Sequence, residues 1–174
     1  SGSPRLSSLV PEGRGAIAAG SLVGGNAYGL FGDYLVLLFQ DPEGPVIRAF
    51  ATSGQRVWER PVPPSGSVWG DFTGDHRGSV FFYQFLGVGD PSTTYSVDLD
   101  RRKESVHAAP GLPFAPGSFV AERLTVRGKG GVEIPLLVAH RKGLALDRPR
   151  NLILYGYGAF GWNSSKLGIE RIHE

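Results

Sequence analysis

Glycine and proline interrupt this chain at short intervals, and that spacing limits what it can fold into. Gly supplies 26 and Pro 13 of its 174 residues, spread between apolar runs rather than gathered in one tail. Proline lacks an amide hydrogen and glycine readily takes positive φ, so both disfavour helix interiors and favour turns. The pattern predicts many short strands joined by tight turns. Only 164–174, with Leu167, Ile169 and Ile172 apolar, reads as a helical segment.

Tyr34–Phe39 is a short apolar run bounded by turn residues and reads as a buried strand. Asp41–Pro45 turns the chain into a second strand at Val46–Ala51, and Ser53-Gly54 into a third around Val57 and Trp58. A new unit begins at Ser67–Phe72. Ser79–Leu86, aromatic and β-branched, is the strongest strand signal in the chain. Tyr95, Val97 and Leu99 then alternate with polar residues, as a half-buried strand requires. Residues 26–60 and 67–108 thus form two units of several strands each, the size of propeller blades. Pro110–Gly117 is the clearest linker and divides the chain at 117/118. Beyond it, 119–126 and 132–140 flank a Gly-rich turn as a hairpin, in which Pro135 calls for an edge position or a bulge. Asn151–Tyr155 reads as a buried strand.

Apolar residues make up 41% and charged residues 20%, which suits a soluble globular chain able to bury a core. The net charge of +2, with no basic stripe carrying interleaved aromatics, argues against a nucleic-acid partner. No apolar run reaches membrane-span length, and no signal peptide is visible. Without Cys there is no disulfide or thiolate chemistry, and cytoplasmic and exported (periplasmic) locations both stay open. The chain has no Met, so Ser1-Gly2-Ser3 is not read as a natural start.

Three segments, in order, resemble one known family. SVFFYQFLGVGDPSTTYSVDL (79–99) resembles the final propeller strands of prolyl oligopeptidases. ERLTVRGKGGVEIPLLVAHRKG (122–143) resembles the hairpin that opens their catalytic domain. NLILYGYGAFG (151–161) resembles the next hydrolase strand and its loop. With a weaker match at 26–72, the resemblance covers most of 26–161. It implies a β-propeller capping an α/β-hydrolase domain, with a serine peptidase activity that cleaves short peptides after proline. The expected architecture is therefore mainly β. Residues 1–117 are expected as about two blades of a partial β-propeller, and 118–174 as the first strands of a truncated α/β-hydrolase domain.

The resemblance also implies site residues. It makes Tyr157 a side-chain oxyanion donor and Phe160 a wall of the proline pocket, with Ala159 in place of the usual second Gly. The family uses Ser, Asp and His, in that order, later in the hydrolase domain. No G-x-S-x-G occurs in these residues, and 162–174 do not resemble the family continuation. A phenol can stabilise an oxyanion only beside an attacking nucleophile. The structural reading of Tyr157 therefore outweighs the chemical one, and Phe160 reads as core or interface.

The four His, at 76, 107, 140 and 173, show none of the paired spacings of a metal site, and no cofactor is expected. Asp75-His76 reads as a solvated turn rather than a dyad. The leading expectation is a fragment without the family's peptidase chemistry. Two alternatives are an oligomeric hydrolase with a recruited site at a chain interface, acting on peptides or activated esters with or without a metal, and a structural or binding β module. Exposed strand edges predict self-association into a homo-oligomer.

Overall fold

The computed structural model describes residues 8–10, 15–18, 27–63, 66–112, 114, 115, 117–145 and 147–156. Within them the chain is mainly β, forming three antiparallel sheets and no α-helix. The first sheet contains β1 (Ala16–Ile17), β2 (Tyr28–Phe31), β3 (Tyr34–Asp41), β4 (Gly44–Ala51) and β5 (Arg56–Pro61). β1 and β2 pair with opposite ends of one edge of β3, so this sheet is four strands wide. The second is a plain meander of β6 (Gly66–Gly74), β7 (Val80–Gly87), β8 (Asp90–Asp98) and β9 (Lys103–Ala108). The third is the hairpin of β10 (Phe119–Arg127) and β11 (Glu133–Arg141), closed by a 3₁₀ turn at Lys129–Gly131.

Local chemistry sets the turns. Asp41 pairs with Gly44, leaving Pro42-Glu43 as a two-residue loop. Between β8 and β9 the Asp98 carboxylate accepts the Arg101 amide at 2.9 Å and pairs with its guanidinium at 2.5 Å. Those bonds from Arg101, the amide first, hold the Asp98 carboxyl below the usual range. Gly32, at φ +55°, takes the left-handed conformation that the β2–β3 turn needs.

The first two sheets pack face to face. Val36 of β3 and Ile47 and Ala49 of β4 meet Phe81, Tyr83 and Phe85 of β7 and Val97 of β8. Phe81 is the hub, with Phe31 stacked at 5.6 Å and Trp58 and Phe72 set edge-on at 5.8 and 5.7 Å. The sheets approach closely at their first strands. There a Cβ on Gly29 of β2 would lie 3.2 Å from the Phe72 Cβ of β6. Sheet one is apolar on its other face too, where Leu37, Phe39, Val46 and Phe50 form a second cluster joined by Leu35 and Val10. The near-continuous apolar run of β3 follows from this, because its odd and even residues both need cover.

The strand expectations hold for β3, β4, β5, β7, β8 and the hairpin, while β2 was not foreseen. Pro135 sits in a regular register with no bulge. The expected buried strand at Asn151–Tyr155 is corrected. The segment belongs to no strand, and Leu152, Ile153, Leu154 and Tyr155 are 60–80% exposed. A buried strand needs a neighbour on each edge and a layer on each face, and none of the described strands pairs with it. The helical expectation for 164–174 lies outside the described residues.

Candidate functional site

Tyr157 and Phe160, the residues singled out by sequence, both lie outside the described residues, as does His173. The chain leading to them, 151–156, is extended and exposed. The other three histidines are placed, and they do not converge.

His76 in the β6–β7 turn reaches back to sheet one. Its Nδ1 lies 2.8 Å from the Leu30 carbonyl oxygen, its ring stacks on Phe31, and its own carbonyl accepts the Gly32 amide at 2.9 Å. The turn was expected, with Asp75 accepting the Arg77 amide. Its role as a clasp between sheets was not, because nothing in the local sequence marks Leu30 as its partner. His107 packs edge-on against Phe82. His140 lies on the hairpin with Nδ1 2.9 Å from the Arg141 carbonyl and Nε2 3.6 Å from Glu122. Among the described residues no three His, Asp or Glu side chains gather as a metal site.

Two polar clusters remain. At one end of the inter-sheet core, Tyr83 donates to Glu104 at 2.9 Å, and Arg60 of the first sheet lies 3.5 Å from the same carboxylate. Tyr83 also stacks on Tyr95 at 5.2 Å. Burial first, then the bond to Glu104, pushes the Tyr83 phenol well above its usual value. An anionic Tyr83 would face Glu104 in a poorly hydrated place, so its hydroxyl acts as a donor and not as a base. Nearby, Tyr34 donates to Asp100 at 2.8 Å across the sheets. The bonds from Ser79 and Tyr34 lower the Asp100 carboxyl.

The second cluster lies on the outer face of sheet one. Arg48 of β4 pairs with Asp41 of β3 and with Glu59 of β5 at 2.8 Å, and Arg56 meets Glu59 at 2.7 Å. Arg48 also covers the Phe39 ring at 4.9 Å. Beside them opens a groove of about 560 Å³ floored by Phe39, Phe50 and Val10. Its charges neutralise one another, and no hydroxyl or imidazole lines it. The arrangement can cover apolar surface, but it offers no nucleophile and base.

The described part of this molecule is thus a packed pair of four-stranded antiparallel meanders followed by a hairpin, with polar side chains spent on tying sheets together. No family model matches the chain. It is 29% identical over 129 residues to a prolyl endopeptidase of Elizabethkingia miricola, spanning 74% of this chain and 18% of that protein. Oligopeptidase B from Trypanosoma brucei superposes on 95% of this chain and 24% of its own, with a TM-score of 0.71 at 15% identity. Prolyl oligopeptidase B from Galerina marginata covers 95% and 22%, with a TM-score of 0.69 at 18% identity. At such identities the two structures speak for the fold alone.

The chain is a distant homologue of the prolyl oligopeptidase family, and it spans about a fifth of the length of the relatives it matches.

Proposed function

We propose that this chain is the junction of a prolyl-oligopeptidase-type protein, with two propeller blades at 1–117 and the opening strands of the hydrolase domain at 118–174. The role of the 174 residues is then architectural. They carry the chain from the propeller into the hydrolase sheet and do not themselves cleave peptides by the family mechanism.

One observation carries this reading. The two four-stranded meanders stack with their first strands drawn together, and the linker and hairpin follow them in family order. Stacked four-stranded sheets converging on their first strands are the repeating unit of a propeller. The apolar outer face of sheet one suits a further sheet of the same kind. In this reading Tyr157 keeps the place of the family's oxyanion donor and Phe160 that of the proline-pocket wall. Their chemistry depends on a nucleophile that these residues do not supply through a G-x-S-x-G elbow.

The test is turnover by the purified 174-residue chain of a proline-containing chromogenic peptide and of an activated ester, each with and without chelator. No hydrolysis above background is expected. Peptide cleavage sensitive to a serine-directed inhibitor would overturn the architectural reading. Chelator-sensitive ester turnover abolished by a His substitution would replace it with a recruited interface site.

A further inference from the structure

The hairpin has two unlike edges. The Lys142 amide donates to Ser118 and the Gly128 amide to Val132, both at 2.8 Å. In an antiparallel ladder, hydrogen-bonded and non-hydrogen-bonded pairs alternate. Across the unbroken register this makes the even-numbered residues of β10 the bonded ones, and Thr125↔Pro135 a non-bonded pair. The nitrogen of Pro135 therefore faces outward and costs the hairpin nothing, but it removes a donor from the free edge of β11. The same parity turns the Arg141 carbonyl outward, where the Leu144 amide already binds it at 3.1 Å. The β11 edge is thus blocked at two places. On β10 the outward positions are Phe119, Ala121, Arg123, Thr125 and Arg127, each with an amide hydrogen, and no other described strand pairs there.

Beside this open edge lies an exposed apolar stripe. Leu124, Val126 and Ile134 share one face of the hairpin and are 47%, 40% and 43% exposed. The same chain carries the complementary piece, the extended, unpaired Leu152–Tyr155. In extended backbone, alternate side chains of that segment would fall on the striped face.

We infer that Leu152–Tyr155 of one copy adds as a strand to the β10 edge of a second copy, reciprocally, making a two-fold homodimer. Area favours a second copy as the occupant. Four apolar side chains at roughly 100 Å² each, matched by the receiving face and doubled by symmetry, give roughly 1,600 Å², the size of a stable specific interface. Each copy provides both halves, as a two-fold contact requires. The inference rests on edge geometry, independently of the catalytic reading, and a negative peptidase assay leaves it untouched.

Sedimentation of the 174-residue chain at micromolar concentration tests it, with the fold followed by circular dichroism. Wild type is expected to sediment as a dimer. Thr125→Pro removes an outward donor without breaking a ladder bond, and should weaken association at least about tenfold. Leu154→Lys should do the same from the other partner without touching the hairpin. Pro135→Thr restores a donor on the opposite edge and should leave the dimer at full strength. A monomeric wild type, or a dimer indifferent to both Thr125→Pro and Leu154→Lys, would overturn the inference.

Discussion

At the scale of single residues, the polar side chains act mainly as ties. Tyr83 is the clearest. Its folded-state pKa lies above the unfolded value of 10.0, so above about pH 10 the unfolded chain loses its proton while the folded chain still holds it. The contribution is fully present below that pH and is lost as pH rises. Denaturant midpoints should therefore fall more steeply from pH 9 to pH 11 in wild type than in Tyr83→Phe. Equal slopes would show that the phenol does not report on the fold. Tyr34, raised chiefly by its bond to Asp100, acts in the same direction and remains in both proteins. Little of this was legible in the sequence. Tyr83, Glu104 and Arg60 are separated by dozens of residues, and no local pattern announces a contact made by sheet stacking. His76 teaches the same lesson, since its turn was readable and its partner was not.

At the scale of elements, most of the structure could be read. The strands of the two meanders have strong apolar or aromatic runs bounded by Gly, Pro and Asp, and the local signals agree with the final pairing. β2 escaped notice because Tyr28-Gly29-Leu30-Phe31 is short and holds a glycine, which local propensity counts against a strand. That glycine is there for the close approach to Phe72. Asn151–Tyr155 shows the opposite failure. Its composition demands burial, but composition cannot supply a neighbour. Amide exchange should separate the two kinds of segment. The β7 amides, paired on both sides, should exchange at least about a hundredfold more slowly than those of Leu152–Tyr155 in a monomeric variant such as Thr125→Pro. Comparable rates would mean that the segment is paired after all.

At the scale of the whole molecule, the first two sheets share one core and should melt as one. Phe81→Ala removes the ring that touches Phe31, Trp58 and Phe72, and should cost about 3–5 kcal/mol. Because those partners come from both sheets, probes placed in each should report one shifted transition. Two separate transitions would show that the sheets are independent units. The second apolar cluster, outside sheet one, is a further load on the same element. A sheet with two greasy faces is an interior layer by composition, which is why β3 and β4 read as buried strands from sequence alone. The ion pairs around Arg48 temper that face without making it polar.

The neighbour-to-neighbour pairing of the strands has one more consequence. From β2 to β5, from β6 to β9 and from β10 to β11, every strand bonds to the one just before or after it in the chain. Closing each contact therefore costs only a short loop. Low contact order of this kind is associated with rapid folding. Each meander can be completed as soon as its last strand is available, before the rest of a longer polypeptide exists. A growing chain could thus assemble this region in order, one hairpin at a time, with the first meander waiting only for the second to cover its inner face.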